Sequence, residues 1–252
     1  MKLRSVEATR YVTPLREGGS LPGLVEASDD GLYVVKFRGA GQGPKALVAE
    51  VVAGELGRAL GLRIPELVRV ELDPGFANAE PDEEIHDLLR RSDGTNLGVD
   101  FLPGALRFDP AVGPPPAPAL AADIVWFDAL VTNVDRTARN TNILTWHGQL
   151  WLIDHGASLY FHHAARTPGD ERTPFPLIAD HVLLPFAGSI EEADRRLAPR
   201  VTAEVMREAA GAIPREWLDD DVDVDTYVTY LERRIASPRD FVDEAERARA
   251  RR

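Results

Sequence analysis

The chain has no cysteine, which excludes disulfides, thiol nucleophiles and cysteine-held zinc. It has almost no lysine either: of 29 basic residues only Lys2, Lys36 and Lys45 are lysine. Generic positive charge is therefore written as arginine, and a lysine here needs a reason. Positive charge as a whole is in deficit, with a formal net charge of -12, which argues against a nucleic acid or an anionic membrane surface as the main partner. No apolar stretch approaches the roughly 20 residues that span a bilayer. The opening MKLRSVEATRYV lacks the apolar core of a signal peptide, so a cytoplasmic location is expected.

What is present is ordinary for a globular protein: 252 residues, 44% hydrophobic and 28% charged, enough for one large domain or two small lobes. Residues 11–106 read as short strands with one helix. PLREGGSLPGLVEA (14–27) has the composition of a turn or phosphate loop, with Gly18, Gly19, Pro22 and Gly23 between strand-like flanks. The strand YVVKF and the glycine-rich turn RGAGQGP follow. A helix over 45–60 comes next, with Leu47, Val48, Val51, Val52, Leu56 and Leu60 on an apolar stripe and Gly61 as its C-cap. Two further strands, in LRIPELVRVEL and NLGVDFLPG, are separated by an acidic turn around AEPDEE.

Residues 109–119, with prolines at 110, 114, 115, 116 and 118, resist both helix and central strand and read as a linker between two lobes. Beyond it the chain turns helical over 120–131. A hairpin then joins NILT to LWLID through a turn at 146–149. Helices follow, signalled by a capping box from Ser189 to Glu192, by Pro214 before REWL, and by Ser237-Pro238 ahead of a last helix that ends in arginines.

Two features do not belong to a packing pattern. Lys36 sits in an apolar strand, on the same side as Val34. An edge-strand lysine reaching for water is the bland alternative. Given how rarely this chain uses lysine, a compact ammonium placed on phosphate oxygens is favoured. The second feature is NVDRTARNTNIL (133–144), a dense polar cluster between two apolar segments, which reads as a short loop pinned at both ends.

Asp135 and Asn140 are five residues apart on that loop, and Asp154 ends the hairpin in LIDHG. This resembles the catalytic core of the protein-kinase-like superfamily. The resemblance implies a two-lobed α+β fold and binding of ATP and Mg2+. It also implies that Asp135 accepts a hydroxyl proton while Asn140 and Asp154 hold the metal through hard oxygen donors. By the same resemblance Lys36 holds phosphate and a helix carboxylate steadies it. Glu50 and Glu55 both lie beside the apolar stripe, which does not decide between them.

Within the superfamily the sequence is most similar to the HipA-like kinases, in the short form without HipA's amino-terminal domain. The matching stretches are LREGGSLPG (15–23), VVKF (34–37), AEVVAGELGRALGLRIPE (49–66), NLGVDFLPG (96–104), NVDRTARNTNIL and LWLIDHG. The family's helix glutamate precedes a leucine by six residues and a Gly-Leu pair by eleven, which Glu50 satisfies through Leu56 and Gly61-Leu62. The resemblance further implies that Gly18, Gly19 and Ser20 line the phosphate loop and that Asp100, Phe101 and Leu102 form a hinge whose backbone meets adenine. A toxin role with a DNA-binding antitoxin partner is not implied.

The sequence departs from eukaryotic protein kinases in three places. There is no GxGxxG loop, and valine precedes Asp135 where those kinases have histidine-arginine. His155 stands where they have the phenylalanine of DFG. Arg136 after the loop aspartate is closer to the phosphatidylinositol kinases. The expected activity is phosphoryl transfer to a hydroxyl, with a protein serine or threonine favoured. A lipid or small-molecule acceptor is the alternative, and a non-catalytic nucleotide-binding module on the same fold is a third. Ser20 is a candidate autophosphorylation site, against the plainer role of a turn serine. His155, His162 and His163 read as structural or exposed rather than as a zinc site. Trp146 and Trp151 read as hairpin packing.

Overall fold

The computed structural model of the chain describes residues 2–15, 21–162 and 174–252. Its N-terminal part is β-rich and its C-terminal part helical. Strands β1 (Arg4–Pro14), β2 (Gly23–Ala27) and β3 (Leu32–Lys36) lead into helix α1 (Gly43–Ala59). Then come β4 (Leu67–Leu72), helix α2 (Glu83–Arg90) and β5 (Gly94–Asp100). The five strands close into a barrel in the order β1-β2-β3-β5-β4, shut by a parallel pairing of β1 with β4 from Arg4↔Val68 to Glu7↔Glu71. Alternation along β3 turns Tyr33 and Val35 into the barrel and leaves Lys36 on the opposite face. Since β3 pairs with both β2 and β5, Lys36 is not on an edge strand.

Two sequence expectations are corrected here. The first eleven-residue strand begins at Arg4, well before residue 11; most of its side chains are exposed, so it carries little apolar alternation. The acidic stretch expected as a turn contains α2. Asp82 caps this helix by accepting from the Glu84 and Ile85 amides, Glu83 and Glu84 complement the positive end of the helix dipole, and Ile85, Leu88 and Leu89 are buried in the barrel core.

α1 departs from the expected single stripe in a different way: every residue from Ala46 to Gly57 is buried, including Glu50 and Glu55. The face opposite the large aliphatics is built from small residues that let neighbours approach. A Cβ on Gly54 would lie 2.6 Å from Leu67, and one on Gly57 would lie 2.5 Å from Ile64 and 3.1 Å from Phe127. Gly61 ends the helix in the left-handed region at φ +86°. The Gly61 amide bonds the Arg58 carbonyl and the Leu62 amide bonds the Gly57 carbonyl, which is a Schellman motif.

After β6 (Leu106–Arg107) the proline run leads to α3 (Pro118–Leu130), with Pro118 already in its first turn. A three-stranded sheet forms from β6, β7 (Ile143–Trp146) and β8 (Gln149–Leu152). The β7–β8 turn is His147-Gly148, at φ +49° and +71°, the two-residue geometry that suits strand twist. Trp146 and Trp151 meet edge to face with centroids 5.3 Å apart, half-buried on this hairpin. The remainder is α4 (Ile190–Leu197), α5 (Ala203–Ala210), α6 (Val224–Ile235) and α7 (Asp240–Ala250). Ser189 caps α4 as expected, whereas REW after Pro214 forms only a 3-10 turn, Arg215–Trp217.

The buried apolar residues divide into two clusters. One fills the barrel and takes in α2; the other runs through α1, α3 and the C-terminal helices, with Leu97 and Val99 of β5. α1 thus belongs to the helical core while facing the barrel strand that carries Lys36. Among the described residues no helix is long and apolar enough to cross a membrane.

Candidate active site

Lys36 is the meeting point of the site. Its Nζ lies 2.5 Å from Glu50 Oε2 on α1 and 2.6 Å from Asp154 Oδ1 just after β8, and its side chain is only 15% exposed. Burial alone would favour the neutral amine; the two carboxylates overcome it and hold the ammonium above the usual lysine range. Burial likewise acts to protonate Glu50, and Lys36 with the His155 ring reverses this, keeping the carboxyl well below its ordinary value. The choice left open by the helix stripe is decided by geometry. Glu55 points to Arg58 at 3.5 Å, and burial raises its pKa.

Asp154 adopts φ +57°, a conformation that sends its carboxylate toward Lys36 while the next side chain, His155, turns into the core. His155 is fully buried. Its Nδ1 is 3.4 Å from Glu50 Oε1 and its ring packs edge-on to Phe127 of α3. No cluster of three or more His, Cys, Asp or Glu that could hold a metal ion occurs among the described residues. His163 and the side chain of His162 lie outside them.

The polar loop after α3 is pinned as its composition suggested, by partners the sequence did not identify. Asn140 Nδ2 donates to Asp135 Oδ2 at 2.7 Å, and Asn142 Nδ2 approaches the same oxygen at 3.3 Å. Asn142 reaches this position with φ +46°, tolerable for asparagine. The Asp135 amide donates to Asn133 Oδ1, whose own amide donates to Asp128 Oδ1. Beneath them Arg136 is fully buried: Nε bonds Asp128 Oδ2 at 2.5 Å, and NH1 bonds the carbonyls of Asn142 and Ile153. His181 completes the cluster. Its Nε2 is 2.8 Å from Asp128 Oδ2, and its Nδ1 accepts from the Leu183 amide, so the proton sits on Nε2.

Burial would protonate Asp128, but Arg136 and His181 hold it far below the usual carboxylate range. Burial keeps His181 below its ordinary value despite the pull of Asp128. The one advance signal for Asp128 was a second carboxylate, beside Asp123, in a largely apolar helix; His181 carried none. Arg136, the residue shared with the phosphatidylinositol kinases, is thus a scaffold residue, and its position says nothing of the acceptor.

The remaining expected residues fall as follows. Asp100, Phe101 and Leu102 stand at the end of β5, where the barrel passes into β6. The Asp100 and Phe101 amides bond the Glu66 and Leu32 carbonyls, while the Leu102 amide has no partner among the described residues. Burial, then Glu66, raises the Asp100 pKa. Gly18, Gly19 and Ser20 lie outside the described residues. Beside Lys36 and Asp154 opens a small cleft bordered by Phe37, Gln42, Gly43 and Ala46 at the mouth of α1.

The donor set suits a hard divalent cation. Asn140 uses its nitrogen on Asp135, which leaves its amide oxygen without a partner among the described residues, and Asp154 Oδ2 is likewise unengaged.

Similar folds are found among solved structures. A Helicobacter pylori proinflammatory kinase, CtkA, matches with a TM-score of 0.63 at 14% identity, over 99% of both chains. A Golgi casein kinase solved with Mn/ADP bound matches with a TM-score of 0.52 at 12% identity, over 98% of this chain and 73% of that one. Among curated proteins none matches the sequence. The profile of the HipA-like kinase family matches residues 9–239, and the chain belongs to that family of kinases.

Proposed function

We propose that the protein is an ATP- and Mg2+-dependent kinase that transfers the γ-phosphoryl group to a hydroxyl, with a serine or threonine of a protein as acceptor. The observation that carries this is Lys36, held as an ammonium between a buried helix carboxylate and the carboxylate of the LIDHG turn. A scaffold without catalysis has no need of such an assembly. Nucleotide with divalent metal on this fold is supported by the Golgi casein kinase, which was solved with Mn/ADP.

In this function Lys36 neutralises phosphate charge and Glu50 fixes its position. Asn140 and Asp154 would hold Mg2+, which supplies charge neutralisation at the phosphates. Asp135, oriented by Asn140 and Asn142, accepts the proton of the acceptor hydroxyl. Gly18, Gly19 and Ser20 would hold the phosphates, and in the segment Asp100, Phe101 and Leu102 the Leu102 amide, without a partner among the described residues, would hold the adenine edge. The lobes divide at residues 109–119, with 1–108 before and 120–252 after, and the protein works in the cytoplasm. Positioning and electrostatics supply most of the rate.

A binding experiment tests the nucleotide site directly. ADP with Mg2+ should raise the melting temperature of the wild-type chain by an amount that grows with ligand concentration. Asp154→Ala and Lys36→Ala should each remove most of that rise. Equal stabilisation of all three proteins would contradict the assignment.

A further inference from the structure

His155 occupies the place where many kinases carry an apolar phenylalanine, yet it is more than a filler of the same pocket. The ring is fully buried, and one nitrogen faces the carboxylate that steadies Lys36. An ionised carboxylate only accepts, so the Nδ1 of His155 carries the proton and donates it to Glu50 Oε1. Among the described residues Nε2 has no partner, and the contact with Glu50 is the one polar contact of the side chain there. The bonds form a closed ring: His155 to Glu50, Glu50 to Lys36, Lys36 to Asp154, and Asp154 back to His155 through the main chain. Asp154 holds this junction of the ring at φ +57°.

We propose that His155 is a positioning residue: its Nδ1–H fixes one oxygen of Glu50 so that the other stays on Lys36. This rests on the kinase function given above. If Asp154 were engaged on Mg2+, Glu50 would be the carboxylate left to hold Lys36. A buried carboxylate with one oxygen unbonded would then be free to rotate or take a proton. His155 removes that freedom. Outer partners of metal-ligating side chains are worth about 10–100-fold, and a loss of that size is expected where Glu50 loses its outer partner.

Two replacements separate positioning from packing. His155→Phe keeps an aromatic ring against Phe127 and removes the donor; His155→Asn loses ring volume but places an amide N–H near the position of Nδ1. Affinity for Mg·ADP by calorimetry, and kcat/KM for ATP, should fall about 10–100-fold in His155→Phe and recover most of that loss in His155→Asn. In a Glu50→Gln background, His155→Phe should add little further loss. A packing role demands the reverse order, with Phe at least as good as Asn, and that result overturns the proposal.

The melting temperatures of wild type, His155→Phe, Glu50→Gln and the double variant give a readout that needs no turnover. Non-additive shifts are expected of bonded partners, and additive shifts overturn the bond. A wild-type chain that binds Mg·ADP but phosphorylates no acceptor would defeat the kinase function alone; the affinities and the melting cycle would still decide the role of His155.

Discussion

Asp128 and Arg136 place charge where no water reaches it, and the protonation of Asp128 and of the neutral His181 should be visible in stability. The unfolded imidazole of His181 takes up a proton near pH 6.5 or so. The folded one resists it, because burial depresses its pKa. The unfolded chain therefore binds more protons as the pH drops. Stability owed to His181 is complete above about pH 6.5 and declines as the pH falls from there toward the lower folded value. Asp128, also depressed, loses its contribution only below the ordinary carboxylate range, outside that window. Between about pH 7.5 and pH 5.5 the melting temperature should fall, and more gently in His181→Asn, which cannot titrate. An unchanged slope in the variant would show that His181 protonates equally in both states. Breaking the ion pair is a harsher change: Asp128→Ala leaves Arg136 buried and uncompensated, with an expected loss of about 3–5 kcal/mol by chemical denaturation. A loss under about 1 kcal/mol, typical of exposed pairs, would contradict the buried arrangement.

At the scale of elements, what could be read in advance followed the strength of the local signal. α1, β3 and the β7–β8 hairpin were legible because apolar pattern and glycine placement agreed with each other, and α3 because a dense apolar segment follows the proline run. Lys36 stood out against a background of arginine. β1 was hidden because its mostly exposed side chains carry little alternation, and its parallel pairing with β4 is a long-range event. α2 was hidden because its charges, which complement the dipole and face water, imitate a turn. His181 was invisible as a partner of the polar loop, since its contact with Asp128 spans 53 residues and leaves no local pattern; Asn142 lay within the loop, but no spacing rule marked it as a partner of Asp135. Element ends give direct tests. Gly61→Ala places a Cβ at φ +86° with only an ordinary contact to Arg200 at 3.6 Å, so its cost is conformational, about 1–2 kcal/mol. Gly61→Asn should recover part of it. Equal stability of the alanine variant and wild type would argue against the left-handed cap.

For the whole molecule the decisive feature is that α1 is shared. It is enclosed by the helical core, yet its Glu50 reaches Lys36 on the barrel. The Arg215–Trp217 turn adds a second tie, with Trp217 Nε1 donating to the Thr95 carbonyl of β5 at 3.0 Å. The lysine–glutamate pair is therefore assembled by the fold itself. Barrel and helical part should unfold as one unit, with far-ultraviolet and tryptophan signals tracing the same transition. Separate transitions would mean that α1 does not couple the two.

The most direct test of the central claim is phosphoryl transfer. Purified protein is incubated with γ-labelled ATP and Mg2+ beside Asp135→Ala and Asp154→Ala, with melting curves to confirm that the variants are folded, followed by intact mass and peptide mapping. The expected result is Mg2+-dependent label on a serine or threonine of this chain or of an added protein, lost in both variants. Label incorporated equally by wild type and by folded Asp135→Ala or Asp154→Ala, or no transfer by wild type to any protein, lipid or small hydroxyl acceptor, would contradict it.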